Sequence, residues 1–238
     1  MTVVGVVCAL AVEARHLGSA ARSRSRPEPT SLADGTLLIV SGMGGAAAAQ
    51  AASALIAHGA SALASFGLAG ALDPALMPGA VFLPATIVDE NGRTLETAPQ
   101  WRERFARALS ALQPLAAGRL LHSTRVVASV AEKAALLLSS GAAAVDMESF
   151  AVAQVACARG VPFLAVRVIV DGAVDSLPSS LSAAADGSGQ LRLGRLMGAV
   201  ARSPAQLADL LRLAQRYRAA SRSLAAIARA GPLARYLP

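Results

Sequence analysis

The stretch LLIVSGMGGAAAAQAASALIAHGASALASFGLAG, residues 37–70, decides the fold, because two apolar runs that each meet glycines flank an alanine-rich run. The apolar run Thr36–Val40 predicts a buried strand, Ala46–His58 a helix and Ala62–Phe66 a second strand. A strand, a helix and a strand in this order form the unit that connects parallel strands of one sheet. Residues 37–70 therefore predict an α/β fold.

The same alternation extends on both sides of this stretch. Further strands are predicted at Val3–Leu10, Ala80–Val88, Leu120–Val127 and Phe163–Val170. Further helices are predicted at Ala98–Leu112, Val130–Ser139 and Ser149–Arg159, and over much of 189–230. Most of these strands are continuously apolar, as strands covered on both faces are. We therefore expect a three-layer αβα sandwich with a mainly parallel, twisted central sheet of mixed type, followed by basic C-terminal helices.

The charge distribution divides the chain near residue 190. The net charge is +7, and residues 191–238 supply the whole excess, since they hold nine arginines against the single acid Asp209. We expect a main domain over 1–190 and a basic helical segment over 191–238 that packs on the same domain. The Ser-, Gly- and Pro-rich run Ala173–Gly189 predicts a loop over a site.

Cysteine, histidine and hydropathy patterns exclude several classes of protein. Cys8 and Cys157 lie in apolar runs, which indicates a reducing compartment rather than a disulfide framework. The three histidines are scattered without metal-ligand spacing, so no metal site is expected. The apolar start lacks the basic region of a signal peptide, and no uncharged run approaches the ~20 residues of a membrane span. We expect a cytoplasmic protein, at most peripheral on the inner membrane face.

Two glycine-rich stretches follow predicted strands. Gly42, Met43 and Gly44 precede a helix, where backbone N–H groups bind phosphate or water, although a tight strand-to-helix turn explains the glycines equally well. Gly67 and Gly70 would let the chain turn sharply beneath a ligand. Because both stretches follow strands, we expect them to share one crevice at the carboxyl ends of the sheet.

Charged residues stand at the ends of buried elements. Glu13, after the first strand, is either a charge at a helix N-terminus or a general acid or base. Asp146 and Glu148 precede a helix and are explained as capping charges on physical grounds alone. Arg167 interrupts a buried strand and needs an anionic or carbonyl partner, so we assign it a supporting role. Asp171 ends that strand in the expected crevice, with a structural ion pair as the alternative.

The order of these motifs resembles the purine nucleoside phosphorylase and nucleosidase superfamily. The matching stretches are Glu13 after its strand, SGMGGAAAA, GLAGAL, PGAVFLP, AVDMESFAVA and VPFLAVRVIVD, which together span about residues 3–175. The enzyme type that they resemble most is 5′-methylthioadenosine/S-adenosylhomocysteine nucleosidase. The basic segment resembles instead the hopanoid-associated phosphorylase branch, which implies release of adenine from adenosylhopane in hopanoid lipid biosynthesis.

The resemblance implies a role for each matching residue of the catalytic domain. Met147 and Glu148 would grip the ribose, and Asp171 would protonate or hydrogen-bond the purine N7. Glu13 would activate water. The backbone of Gly67, Leu68, Ala69 and Gly70 would line the ribose side, and the backbone of Val126 and Val127 would meet adenine. The resemblance also implies a nucleoside phosphorylase-like fold, a homodimer and no cofactor, with inorganic phosphate as the one conceivable co-substrate.

The residues favour hydrolysis over phosphorolysis. Phosphorylases that the chain resembles often place an arginine just before the G-x-x-G stretch, whereas this chain has Ala64, Ser65 and Phe66 there. Glu13 suits water and would repel a phosphate dianion. Phosphate would need another cation, such as Arg125 or an arginine of a partner subunit.

The basic C-terminal segment has two interpretations. Its apolar residues recur near helical spacing at Leu207, Leu210, Leu211, Ala214, Leu224, Ile227 and Ala228, with Ser203 and Pro204 as a helix start. It either packs on the sheet with a solvated basic face or lies on anionic lipid through 191–230, next to a lipid-linked substrate. Nucleic acid is not expected as a partner, because aromatic residues for base stacking are scarce.

Soluble 5′-methylthioadenosine or S-adenosylhomocysteine is the alternative substrate. Two rival functions stay open beside the enzyme. One is a nucleoside-binding module without catalysis. The other is a membrane adaptor in which the α/β domain serves only as a scaffold for the basic segment.

Overall fold

The computed structural model describes residues 2–18, 28–111, 115–177 and 205–237. The strands of these ranges are β1 (Val4–Cys8), β2 (Thr30–Ser31), β3 (Leu37–Val40), β4 (Ala62–Ala71), β5 (Val81–Val88), β6 (Thr94–Glu96), β7 (Leu115–His122), β8 (Ala144–Asp146) and β9 (Phe163–Asp171). The helices are α1 (Ala11–Ala14), α2 (Gly45–Ala57), α3 (Pro99–Ala108), α4 (Val130–Ser140), α5 (Ser149–Arg159) and α6 (Ala205–Arg229), and short 3₁₀ turns form at Arg15–Leu17 and Leu233–Tyr236.

The strands form one mixed sheet whose centre is the long strand β4. The strand order is β2-β3-β1-β4-β8-β7-β5-β6, and β9 pairs with both β4 and β5. Strand β4 runs parallel to β1 and β9 and antiparallel to β8. The pairings β4–β9, β9–β5, β5–β7, β7–β8 and β8–β4 therefore close part of the sheet into a ring. The carboxyl ends of β1, β4 and β9 lie at the same edge.

Helices cover both faces of the sheet, which confirms the predicted three-layer α/β fold. Helices α2 and α5 pack against one face around Leu55 and Phe150, and α3 and α6 pack against the other around Trp101 and Leu224. Glycine is required where α2 approaches β1 most closely. A Cβ atom on Gly5 would lie 2.9 Å from Cβ of Leu55.

Helix α6 contributes to the core of the sheet. Its buried face presents Ala220, Leu224 and Ile227 to the cluster that includes strand β9. The predicted features at 178–204, namely most of the loop over the site, the helix start at Ser203 and Pro204 and the first part of the basic segment, lie outside the described residues. The same holds for the side chains of Leu207, Leu210 and Leu211.

Two sequence interpretations are wrong in this structure. The predicted sharp turn at Gly67 and Gly70 does not form, because β4 continues to Ala71 and pairs with β9 along this stretch. The predicted strand Leu120–Val127 lies at Leu115–His122 instead, because the hydroxyl of Ser123 donates to the carbonyl of Arg125 and turns the chain. The short strand β8 was not predicted.

Candidate active site

A cavity opens at the carboxyl ends of β1, β4 and β9. The predicted site residues that line it are Glu13, Met43, Leu68, Ala69, Gly70, Val126, Val127, Met147, Glu148 and Asp171. The remaining predicted residues, Gly42, Gly44, Gly67 and Arg167, do not line the cavity. The three carboxylates predicted for the site, Glu13, Glu148 and Asp171, thus meet in one crevice that Asp146 also lines, and neighbouring residues hold these carboxylates in place.

Glu13 is fixed by backbone N–H groups of two elements. It lies in α1, and its Oε2 accepts from the N–H of Leu10 at 2.8 Å while Oε1 accepts from the N–H of Leu68 at 2.9 Å. A Cβ atom on Gly67 would lie 2.5 Å from Oε1, so this glycine provides the space for the carboxylate. Burial raises the pKa of Glu13, and the charge of Arg167 and the N–H donors reduce that rise.

Glu148 joins the first glycine-rich stretch to α5. It is the N-terminal cap residue of α5, and its Oε1 accepts from the N–H of Gly44 at 2.8 Å. The N–H of Gly44, in the stretch predicted to bind phosphate or water, therefore donates to a side chain of the protein itself. Burial and the neighbouring charge of Asp146 raise the pKa of Glu148 to about 7.

Asp146 also lines the cavity and forms a buried ion pair with Arg167, which lies behind it. Arg167 donates from Nε to Oδ2 of Asp146 at 2.8 Å and from its terminal nitrogen to the hydroxyls of Ser65 and Ser149 at 2.5 and 2.9 Å. The carboxylate of Asp146 also accepts from the N–H of Ser149, the first residue of α5. This network supplies the anionic partner expected for Arg167 and connects β4, β8, β9 and α5.

Asp171, at the end of β9, is paired with a lysine that the sequence analysis missed. The Nζ atom of Lys133 contacts Oδ2 of Asp171 and donates to the carbonyls of Gly172 at 2.8 Å and Asp175 at 2.9 Å. A Cβ atom on Gly70 would lie 3.2 Å from Oδ2 of Asp171, so the second glycine also makes room for a carboxylate. Burial raises the pKa of Asp171, and the ammonium of Lys133 opposes that rise.

The signal that could have identified Lys133 is its rarity. It is the only lysine of the chain, against 21 arginines, and it is fully buried in α4.

A second missed contact joins the C-terminal helix to the site. Arg216 of α6 donates to Oδ1 of Asp175 at 2.6 Å, and Oδ2 of Asp175 accepts from the N–H of Gly172 at 2.8 Å.

The loop between β7 and α4 closes the cavity on another side. Val126 and Val127 lie in this loop, and the N–H of Leu177 donates to the carbonyl of Ala128 at 2.9 Å, which ties the loop to the segment after β9. Arg125 also lines the cavity, but its side chain is 69% exposed and is ion-paired with Glu132. It is the one arginine that lines the cavity within the described residues.

In the four described ranges, no three side chains among His, Cys, Asp and Glu are placed to hold a metal ion. No helix in that part of the chain is long and apolar enough to cross a membrane.

A family model described as the phosphorylase superfamily matches residues 4–203. The chain belongs to the phosphorylase superfamily. This membership confirms the expected enzyme of the nucleosidase or nucleoside phosphorylase kind. No curated protein matches the chain significantly.

Solved structures share the fold of this phosphorylase superfamily member. The S-adenosylhomocysteine nucleosidase of Streptococcus pyogenes has a TM-score of 0.64 and 22% identity, over 73% of this chain and 85% of that chain. The futalosine hydrolase of Helicobacter pylori has a TM-score of 0.62 and 21% identity, over 73% and 86%. The 5′-methylthioadenosine/S-adenosylhomocysteine nucleosidase of Helicobacter pylori has a TM-score of 0.65 and 18% identity, over 95% and 97%.

Proposed function

We propose that this protein hydrolyses the N-glycosidic bond of an adenosine-type nucleoside and releases adenine. The observation that carries the proposal is the convergence of Glu13, Glu148 and Asp171, three buried carboxylates, on one cavity. Each has a raised pKa, and each is held by a different set of donors. Such a set matches a reaction that must stabilise a sugar cation, protonate a base and activate water.

Glu148 is assigned to the ribose. Cleavage of an N-glycosidic bond develops positive charge on the sugar, and a fixed carboxylate in a water-poor site stabilises that charge. One oxygen of Glu148 accepts from Gly44, so the carboxylate has a fixed position, and its other oxygen can accept from sugar hydroxyls. Met147 lines the cavity beside it and would pack beneath the sugar.

Asp171 is assigned to the leaving base. Adenine leaves readily only when N7 is protonated, and a carboxylic acid with a raised pKa can supply that proton near neutral pH. Val126 and Val127 lie on the wall of the same cavity, and their backbone is assigned to the edge of the purine. The base would thus lie between the end of β9 and the loop that follows β7.

Glu13 is assigned to the water molecule, and this favours hydrolysis over phosphorolysis. It lines the cavity beside Leu68 and Ala69, with a raised pKa that suits a general base. A phosphate dianion would meet the charges of Glu13 and Glu148. Arg167 is already paired with Asp146, and Arg125 is exposed and paired with Glu132.

The names of the similar structures agree with this assignment. They describe nucleosidases for 5′-methylthioadenosine and S-adenosylhomocysteine and a futalosine hydrolase. For this chain we propose adenosylhopane as the substrate, on the resemblance of its basic segment, with 5′-methylthioadenosine and S-adenosylhomocysteine as soluble alternatives. A homodimer is part of the same proposal.

A lipid-linked substrate would place the basic segment near a membrane. The exposed side chains of Arg218, Arg222 and Arg229 lie on one face of α6, opposite the buried Leu224 and Ile227, which suits contact with anionic lipid. Co-sedimentation with anionic vesicles compares the wild type with a variant that carries glutamine at these three arginines. Equal sedimentation of both proteins argues against membrane contact through α6.

The function is tested by incubating the purified protein with adenosylhopane or 5′-methylthioadenosine, with and without phosphate. We expect adenine and a free sugar in both buffers. A sugar 1-phosphate that forms only in the presence of phosphate would show that the reaction is phosphorolysis and not hydrolysis. Turnover at the wild-type rate in both Asp171→Asn and Glu148→Gln would contradict the roles assigned to Asp171 and Glu148.

A further inference from the structure

The only lysine of the chain is buried against the proposed acid. We propose that Lys133 is a positioning residue, whose ammonium fixes one oxygen of Asp171 and the turn that follows, so that the other oxygen faces the N7 atom of the leaving base. The proposal rests on the proposed function of the site. It adds a residue that acts on leaving-group protonation through Asp171 without touching the substrate.

The ammonium of Lys133 has a matching acceptor for each of its three donors. These acceptors are Oδ2 of Asp171 and the carbonyl oxygens of Gly172 and Asp175. A buried ammonium is costly unless all its donors are satisfied, and here they are. Within the described residues Oδ1 of Asp171 forms no hydrogen bond, and Asp171 lines the cavity. One oxygen is therefore held, and the other is available to a ligand.

The residue type at position 133 indicates that this position requires a lysine and not an arginine. The other 21 basic residues of the chain are arginines. An arginine donates in a planar fork at the end of a longer side chain, whereas a lysine donates in three directions from one atom. Only the compact ammonium suits three acceptors grouped around one point in a space with no exposure.

The charged groups that face Asp171 come from three elements. Lys133 comes from α4, Asp175 from the turn after β9 and Arg216 from α6. Asp175 and Arg216 pair with each other, so Lys133 is the direct partner of Asp171. Lys133 also binds the carbonyl of Asp175, and the carboxylate of Asp175 accepts from Arg216, so α4 and α6 both hold the turn after β9.

A structural role and a positioning role of Lys133 predict different effects on substrates with different leaving groups. Adenine must gain a proton as it leaves, whereas 4-nitrophenolate leaves without one. If Lys133 acts through Asp171, its loss should reduce turnover of an adenine nucleoside and spare turnover of 4-nitrophenyl riboside. If Lys133 only stabilises the fold, its loss should reduce turnover of both substrates by the same factor.

The experiment measures kcat and KM for 5′-methylthioadenosine and 4-nitrophenyl riboside with wild type, Lys133→Met and Asp171→Asn. For Lys133→Met we expect kcat on the nucleoside to fall about 10- to 100-fold, as displaced catalytic groups do. We expect kcat on 4-nitrophenyl riboside to change by no more than about threefold. Asp171→Asn should show the same selectivity. Leu137→Ala, which loosens the packing of α4 without touching Asp171, should affect both substrates alike.

The pH profile gives a second readout that a loss of packing would not move. Without the ammonium, the main influence that opposes burial at the carboxyl of Asp171 is lost and only the charge of Arg216 still lowers its pKa, so the basic limb of kcat/KM for the nucleoside should move to higher pH in Lys133→Met. An unmoved limb together with equal losses on both substrates overturns the role of Lys133 and leaves the proposed function intact. A wild type that releases neither adenine nor 4-nitrophenolate overturns both.

A measurement that keeps Lys133 in place covers the case in which Lys133→Met does not fold or 4-nitrophenyl riboside is not accepted. Lysine labelled with ¹⁵N at Nζ gives one side-chain signal, because the chain has one lysine. We expect this signal to shift in Asp171→Asn and on binding of adenine to the wild type. A signal that moves in neither case overturns the proposal.

Discussion

Gly67 and Glu13 are placed so closely that a side chain at position 67 would displace the Glu13 carboxylate. A Cβ atom there would lie 2.5 Å from Oε1 and 2.7 Å from Cδ of Glu13. The two residues are far apart in the sequence, yet the carboxylate lies flat against β4 and accepts from the N–H of Leu68. The second glycine-rich stretch therefore makes room for the buried carboxylates of Glu13 and Asp171 and does not form a turn of the chain.

Gly67→Ala should displace Glu13 and reduce kcat about 10²-fold or more, because a shift of about 1 Å in a catalytic group has that effect. Steady-state kinetics and circular dichroism measure the loss and check the fold. Gly35→Ala is the control. Gly35 has φ +82° in an exposed turn with no neighbour within 4 Å, so its substitution should cost stability and leave kcat unchanged. Wild-type kcat in Gly67→Ala would contradict the assigned position of Glu13.

Glu13→Gln should lower kcat about 10²- to 10⁴-fold, since the amide keeps the shape and loses the base. In the wild type the base form appears only above the raised pKa of Glu13, so activity should rise with pH at a higher pH than an ordinary glutamate would give. The measurement is a pH profile of kcat/KM. An acidic limb at the usual pKa of glutamate would argue against this residue as the base.

Glu148→Gln should lower the activity and raise the stability of the protein. The folded protein holds the proton of Glu148 up to a pKa of about 7, whereas the unfolded chain releases it near the ordinary 4.5. Stability from this group is complete below pH 4.5 and is lost as the pH rises through about 7. The variant should therefore gain on the order of a few kcal/mol over the wild type at pH 8 and none at pH 4.

Urea unfolding at the two pH values measures the difference between wild type and Glu148→Gln. The amide oxygen can still accept from Gly44, so the hydrogen bond is retained. A variant that is less stable than the wild type at pH 8 would contradict the buried, strained charge assigned to Glu148.

Breaking the ion pair between Asp175 and Arg216 of α6 should loosen the turn beside Asp171 and so weaken protonation of the leaving base. Arg216→Gln and Asp175→Asn are each expected to lower kcat for adenine nucleosides about 3- to 10-fold. The double variant should resemble the single variants, because residues in contact are not additive. A double-mutant cycle measures the coupling. Fully additive losses would show that α6 does not brace the turn through this pair.

Local sequence signals were sufficient for most elements. Helix α5 was predicted at Ser149–Arg159 with the bounds observed, because the apolar run ends at Gly160, which caps the helix at φ 63°. Strand β7 was displaced, because the apolar run from Leu120 continues to Val127 past the turn that Ser123 makes. Strand β8 is only three residues long and lies inside an alanine-rich stretch without a period of its own.

The candidate site was only partly visible in the sequence. Glu13, Glu148 and Asp171 stand at element ends, where the carboxyl edge of a sheet brings residues together. The partners of these residues depend on long-range contacts, namely Gly67 for Glu13, Gly44 for Glu148 and Lys133 for Asp171. A local pattern cannot show which glycine makes room for which carboxylate, although the single lysine was a usable signal.

The most direct test follows the oxygen that enters the sugar. The wild type is incubated with an adenine nucleoside in ¹⁸O-labelled water that contains phosphate, and adenine and the sugar product are analysed by mass spectrometry. Hydrolysis guided by Glu13 predicts equimolar adenine and a free sugar that carries one ¹⁸O atom. A sugar 1-phosphate without the label, or no adenine at all, would contradict it.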